Sequence, residues 1–316
     1  MNHENIKVLD CTIRDGGLVN NWDFSVPFVR ELYDALNEAG VEYTEIGYKN
    51  SAKLLKSDDA GPWRFLDDQF LKEVIDKKST KLSALVDIGR VDEDDILPRE
   101  DSLLDLIRVA CYIKDIDKAL ALIQTFHDKG YETTLNIMAL SNVLENDLND
   151  ALALIEKSPV DVVYIVDSYG SLFPKDIAYL TEKFQRMLPN KELGIHTHNN
   201  MQLAFANTIT GVEKGITFLD SSVYGMGRAA GNCTTELIIS YIKKPIYNVR
   251  PILDIIGRHM VPMREKVEWG CLIPYLVTDM LNEHPRTAMA LRSSEQKDKY
   301  AEFYDKLTSP ETAFTK

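Results

Sequence analysis

Residues 105–140 read DLIRVACYIKDIDKALALIQTFHDKGYETTLNIMAL. An apolar, β-branched run beginning at Asp105 (DLIRVACY) gives way to an amphipathic stretch, DIDKALALIQTFHDKG, which closes on Gly130 as a helix C-cap should; a second run begins at Glu132 (ETTLNIMAL). Strand, helix and strand in that order predict a parallel βαβ unit. The same rhythm extends in both directions, with runs beginning near Ile6 (IKVLDC), Glu42 (EYTEIGY), Lys81 (KLSALVDI), Asp161 (DVVYIVDS), Glu192 (ELGIHTH) and Ile216 (ITFLDSSV). That makes eight runs, each about 25 to 40 residues after the last. The intervening patterns include VPFVRELYDALNEAG, ending on Gly40, and MQLAFANTITGVEKG, ending on Gly215.

Such a chain closes into a barrel or spreads as an open doubly wound sheet. No GxGxxG follows the first run, and the eightfold count suits closure. The expected fold class is α/β, a (β/α)8 TIM barrel over residues 1–245. Beyond about Lys243 the strand rhythm stops, and Pro245, Pro251, Pro262, Pro274 and Pro285 punctuate a charged, helical stretch. Residues 246–316 are expected to form a C-terminal helical extension packed on the barrel.

The chain has 316 residues with 36 Lys plus Arg against 49 Asp plus Glu, a formal net charge of −13. A phosphate backbone or an anionic membrane would repel such a surface on average, so nucleic-acid and membrane partners are not expected. The N-terminal MNHENIKVLDC interrupts any signal-peptide core with charge, and no stretch approaches ~18 apolar residues. A cytoplasmic location is expected. Four scattered cysteines (Cys11, Cys111, Cys233, Cys271) suggest neither a disulfide framework nor a cysteine zinc site, and Cys11 and Cys111 read as buried small hydrophobes.

In a barrel the reactive groups gather at the C-terminal strand ends. The polar residues there are Asp10, Arg14 and Asp15 after strand 1, Glu45, Asp87, Arg108, Asn136, Asp167 and Ser168, His196 and His198, and Asn232 after strand 8. His196-Thr197-His198 is the strongest local signal, because residues i and i+2 of a strand share a face. Two histidines can alternatively hydrogen-bond within a polar layer. With a carboxylate from another strand end they form a recurring catalytic-metal set, and Asp15 is the best third ligand. Gly225-Met226-Gly227-Arg228-Ala229-Ala230-Gly231-Asn232 implies tight turns and a close backbone approach, or simply a change of chain direction.

Four ordered motifs carry a resemblance: Leu9-Asp10-Cys11-Thr12-Ile13-Arg14-Asp15-Gly16-Gly17, Asp167-Ser168-Tyr169-Gly170, His196-Thr197-His198-Asn199-Asn200 and the Gly225–Asn232 loop. Over about residues 6 to 245 the chain resembles the metal-dependent pyruvate aldolase, or DRE-TIM metallolyase, superfamily of 4-hydroxy-2-oxovalerate aldolases, hydroxymethylglutaryl-CoA lyases and isopropylmalate synthases. The resemblance implies that Asp15, His196 and His198 bind a divalent metal, manganese first, with magnesium, cobalt or zinc as alternatives. It implies that Arg14 stabilises an enolate oxygen, that Ser168 meets the substrate carboxylate, and that Glu45 and Asn232 are weak ligands or substrate-side residues. Asp10 and Asp167 would orient Arg14 or the histidines. Ordinary satisfied polarity at strand ends is the competing reading for Glu45 and Asn232, and a helix cap is the competing reading for Ser168.

Two departures stand out. Where the aldolases carry a proton-transferring histidine and the synthases a glutamine, this chain has Leu18. The reactive cysteine of the hydroxymethylglutaryl-CoA lyases is absent from the Gly-rich loop, and Cys233 falls after it. A replacement acid or base is sought in Tyr275, whose segment Trp269–Tyr275 loosely matches the region that supplies a tyrosine in the aldolases. His259, His284 and Asn20-Asn21-Trp22 are further options. The expected activity is cleavage or formation of a 4-hydroxy-2-oxo acid from pyruvate and an aldehyde. The alternatives are a Claisen-type acyl-CoA/2-oxo acid synthase and a non-catalytic metabolite-binding barrel. Small-molecule 2-oxo acids and aldehydes are the expected partners, and a homo-oligomer built through the tail stays open.

Overall fold

A computed structural model describes residues 3–55 and 60–309. Eight parallel strands form a closed barrel in chain order. They are β1 (Lys7–Asp10), β2 (Tyr43–Tyr48), β3 (Lys81–Asp87), β4 (Leu104–Cys111), β5 (Glu132–Ile137), β6 (Val162–Asp167), β7 (Glu192–Thr197) and β8 (Phe218–Ser221). All eight expected runs are strands, because each is a short β-rich segment bounded by turn residues and sealed on both faces. Closure comes from the β1–β8 ladder, in which Leu9 pairs with Asp220 and Asp10 with Ser221.

The outer ring comprises α1 (Thr12–Asn20), α2 (Val26–Glu38), α3 (Asp68–Val74), α4 (Ile116–Asp128), α5 (Glu145–Ile155), α6 (Pro174–Met187), α7 (Ala204–Glu213) and α8 (Thr235–Ile242). Gly40, Gly130 and Gly215 have φ of +78°, +87° and +100°, the left-handed conformation a helix-terminating glycine supplies. One crossover departs from strict alternation. Between β3 and β4 the chain makes only the 3-10 turns Glu93–Asp95 and Arg99–Asp101, because VDEDDILPRED lacks an apolar helical period and carries Pro98.

Inside the barrel, Leu9, Cys11, Tyr43, Leu106, Val162, Tyr164, Val166 and Phe218 form a cluster distinct from the larger shell between strands and helices. Tyr164 is fully buried in this cluster, and its register partner on β7 is Gly194, where a Cβ would lie 2.5 Å from the ring. Arg108 lies above that layer, with its guanidinium 4.5 Å from the Tyr164 ring centroid. The interior is therefore apolar below and ionic towards the C-terminal strand ends.

The C-terminal segment is helical, with helices at Arg250–Ile255, Ile273–Met280, Arg286–Arg292 and Tyr300–Thr308. Its first part joins the barrel's shell through Ile252, Ile255 and Trp269. Its second part forms a separate cluster around Val277, Ala288 and Phe303 that also takes in Ala229 and Ala230 of the Gly-rich loop. Gly270 donates its N–H to the Ala229 carbonyl, and Asn282 joins Ser141 to Ser171 through Oδ1, so this segment covers part of the strand-end face.

Candidate active site and metal centre

Helix α1 starts without a loop: Cys11 follows β1 directly, and Arg14 and Asp15 therefore stand in the first turn at the barrel mouth. Gly17 is needed on this helix because a Cβ there would lie 2.0 Å from the Trp22 ring, whose Nε1–H donates to the Arg14 carbonyl at 3.0 Å. Trp22 thus clamps the turn that carries Arg14. At the end of β7 the Thr197 hydroxyl turns outward to the Ala204 carbonyl and Thr208, while His196 and His198 turn inward with ring centroids 5.0 Å apart. Asp15, His196 and His198 are all buried and offer ligand atoms within 4.8 Å of one another.

The tautomers follow from the partners. His196 Nδ1 lies 2.9 Å from Asp220 Oδ2, and His198 Nδ1 lies 3.3 Å from the Gly231 carbonyl oxygen. Both oxygens only accept, so both Nδ1 atoms carry hydrogen and each Nε2 is the ring nitrogen left to face the site. Burial pushes the His198 imidazole down to about 3, which keeps it neutral as a ligand must be. For Asp15, burial opposes ionisation, but the Arg14 guanidinium foremost, with Arg228 beyond it, holds its carboxyl far below the usual range.

Beneath this trio runs a buried ionic chain. Arg14 donates from Nε to Glu45 Oε2 at 2.6 Å and from Nη1 to Asp15 Oδ1 at 2.5 Å. Glu45 Oε2 also faces Arg108 Nη1 at 3.0 Å, and Arg108 Nη2 reaches Asp220 Oδ2 at 2.6 Å. Among these buried side chains two guanidiniums oppose three carboxylates, an excess of one negative charge before the imidazoles are counted. Asn232 donates to Asp15 Oδ2 at 2.8 Å, yet its buried Oδ1 has no hydrogen-bond partner among the described residues. An N,N,O donor set, an excess negative charge and an orphaned acceptor together fit a divalent cation.

Other sequence candidates fall in different places. Glu45 is fully buried under Arg14, so it holds that guanidinium and does not face substrate space. Ser168 is no helix cap: its Oγ accepts from the Ala139 N–H at 2.9 Å, while α6 starts at Pro174. Asp10 and Asp167 orient neither Arg14 nor the histidines. Asp10 accepts from the Thr12 N–H and the Thr235 hydroxyl, and Asp167 accepts from the Leu172 N–H; each organises its own loop. Tyr275 is buried in the tail's apolar cluster, where burial pushes its phenol up to about 12 and Glu268 and Arg292 are the charges that act on it. His259 pairs with Glu31 on the outer face. Cys11 is a buried small residue, as expected, but its Sγ–H donates to the Ser221 carbonyl and its sulfur lies 3.8 Å from Asn232 Nδ2.

Two residues were overlooked in the sequence. Asp220 fixes His196 and anchors Arg108; its signal is a lone acid two residues after Phe218, on the inward face of an apolar strand. Tyr48, at the end of β2, lies in the field of Arg14 and Asp15, and burial raises its phenol pKa. It lines a cavity of about 940 Å³ at the mouth, with Leu18, Trp22, Arg228 and His284 around it.

Comparison with known proteins bears on the fold and the family. Residues 108–254 match the HMGL-like family. A 4-hydroxy-2-oxovalerate aldolase of Pelotomaculum thermopropionicum is 29% identical over 247 residues, covering 77% of this chain and 72% of that protein. An oxaloacetate decarboxylase of Mycobacterium tuberculosis is 28% identical over 249 residues, covering 77% and 71%. The solved N-terminal domain of a Bacteroides vulgatus protein superposes with a TM-score of 0.76 at 29% identity, covering 94% of this chain and all of that domain. The HMG-CoA lyase of Brucella melitensis shares the fold at a TM-score of 0.68 and 16% identity, covering 83% and 99%. Closed barrel, ordered motifs and matching relatives lead to one statement: residues 108–254 match the HMGL-like family, and the chain is similar over most of its length to proteins named 4-hydroxy-2-oxovalerate aldolase.

Proposed function

We propose that this protein is a divalent-metal-dependent aldolase, a carbon–carbon lyase that cleaves or forms a 4-hydroxy-2-oxo acid from pyruvate and an aldehyde. The observation that carries the reading is the juxtaposition of Asp15, His196 and His198 with the Arg14 guanidinium at the barrel mouth. A divalent ion held by those three residues, manganese first, would act as a Lewis acid on the carboxylate and keto oxygens of a 2-oxo acid.

Arg14 uses Nε on Glu45 and Nη1 on Asp15, which leaves Nη2 to donate to the oxygen where enolate charge develops. Glu45 and Arg108 keep that fork rigid, so little reorganisation accompanies the reaction. In the cleavage direction the bond between C3 and C4 breaks, its electron pair passes into the donor enolate, and the C4 hydroxyl gives its proton to water in the open mouth cavity as the aldehyde forms. Leu18 has no proton to exchange. Tyr48, kept neutral by burial and lining the mouth cavity at the end of β2, is the hydroxyl we assign to returning a proton to the donor carbon.

The relative named oxaloacetate decarboxylase supports a second reading, in which the same donor enolate is released by loss of carbon dioxide. The deciding experiment follows deuterium exchange at the pyruvate methyl group by NMR with manganese, after chelation, and in Tyr48→Phe. Chelator-sensitive exchange that falls in Tyr48→Phe is the expected result. Exchange indifferent to chelation would overturn the metal reading, and its absence with manganese would remove pyruvate as the donor. Faster turnover of oxaloacetate than of any 4-hydroxy-2-oxo acid would favour the decarboxylase.

A further inference from the structure

The cavity at the barrel mouth has a charge opposite to that of the molecule. In a chain with a net charge of −13, its lining carries six basic side chains, Arg64, Arg90, Lys114, Lys118, Arg228 and Arg286, against the acids Asp87, Glu93 and Asp115. Two of those acids are already engaged: Asp87 pairs with Arg90 at 3.1 Å and Asp115 with Lys118 at 2.9 Å. Glu93 accepts from the Thr125 hydroxyl. Lys114, Arg228 and Arg286 form no ion pair with any described carboxylate. Clustered cations repel one another, so such an arrangement costs stability unless an anion joins it.

Arg228 connects this wall to the reacting end. Its backbone N–H donates to Asp15 Oδ2 at 3.2 Å, and its Nη2 donates to the Ser168 carbonyl at 3.2 Å. Its Nε is buried and lacks a hydrogen-bond partner among the described residues, so a ligand acceptor is the group it still lacks. Arg286 comes from the C-terminal segment, which overlies the mouth and also contributes His284 to the lining. The field is thus assembled from a βα loop on one side and the tail on the other.

Resting on the aldolase reading above, we propose that the acceptor substrate carries an anionic group, a carboxylate or a phosphate, held by Arg228 and Arg286 while its aldehyde carbon faces the donor. The cavity's size, about 940 Å³, accommodates an acceptor well beyond two carbons. Arginine suits this task because its planar fork matches carboxylate and phosphate oxygens. The shared requirement is the charge, and the two anion types are separated by experiment.

The test measures binding by calorimetry to manganese-loaded and to chelated protein, using acceptor analogues in chain-matched pairs. Glycerol 3-phosphate is set against glycerol, and 4-hydroxybutyrate against butanol. At least about tenfold tighter binding of one anion than of its neutral match, persisting after chelation and lost in Arg286→Glu, is the expected result. The pair with the larger ratio names phosphate or carboxylate. Equal binding within both pairs, or a preference that vanishes with the metal, would overturn the proposal. Pyruvate methyl exchange in the same preparation separates the two ideas: anion preference without exchange keeps the cationic wall and removes the pyruvate donor, whereas exchange without anion preference does the reverse.

Discussion

His196 Nδ1 stands 2.9 Å from Asp220 Oδ2, and that same oxygen accepts from Arg108 Nη2 at 2.6 Å. A strand-8 carboxylate thereby sets which nitrogen of a strand-7 histidine faces the site, and a buried guanidinium fixes the carboxylate. Partners of this kind tune a ligand's basicity as well as its direction. Replacing Asp220 with Asn is expected to lower manganese affinity by about 10–100-fold. Equilibrium dialysis measures the loss. His198→Ala should abolish retention in the same assay while leaving circular dichroism unchanged, since the barrel's stability rests on its packed interior and helix ring. Undiminished affinity in both variants would exclude these residues as the metal site.

Arg14 binds two carboxylates through different nitrogens, a geometry an ammonium cannot copy. In Arg14→Lys we expect the metal to stay and pyruvate exchange to slow by at least ~100-fold, the scale of losing one preorganised oxyanion donor. Wild-type exchange rates in that variant would remove Arg14 from the chemistry.

At Gly227 an added Cβ would lie 2.4 Å from Asn232 Nδ2 and 2.5 Å from Asp15 Oδ2. Gly227→Ala must therefore displace Asp15 or Asn232. The expected outcome is weakened metal retention with a modest change in thermal midpoint; unaltered affinity would show that the loop relaxes without cost to the site.

Asp279 belongs to the tail helix Ile273–Met280, and both its carboxylate oxygens are buried without hydrogen-bond partners among the described residues. Burial, and then the charge of Asp167, push its pKa up to about 8. An acid whose pKa is higher folded than unfolded binds its proton preferentially in the native state. Its contribution is complete below about 4 and is lost as pH rises through about 8. Asp279→Asn should flatten the fall in thermal midpoint between pH 5 and 9 and stabilise the protein at alkaline pH by on the order of a few kcal/mol. Parallel wild-type and variant pH profiles would show that Asp279 stays ionised in the fold.

Much of the architecture lay in local pattern. The eight strands, the glycine helix ends and the inward-facing pair around Thr197 follow from periodicities of two and 3.6 residues, which every segment carries without its neighbours. Asp15 could be matched with His196 and His198 because a barrel brings strand ends to one face whatever the loops do. The helix-free crossover between β3 and β4 was also written locally, in an acidic stretch with a proline, and was hidden only by the regularity around it.

The sequence by itself thus determined the barrel, the order of its strands and the grouping of Asp15 with His196 and His198. Tertiary structure alone decided the rest. Glu45 supports Arg14 and Tyr275 joins the tail's core because burial and pairing depend on which side chains arrive from distant strands. Asp220 became a partner of His196 only when the sheet closed, and the basic lining of the mouth was completed only when the tail brought Arg286 to the same cavity as Arg228. Charge acts through space, and its effect is set by distances and dielectric surroundings that chain order does not contain.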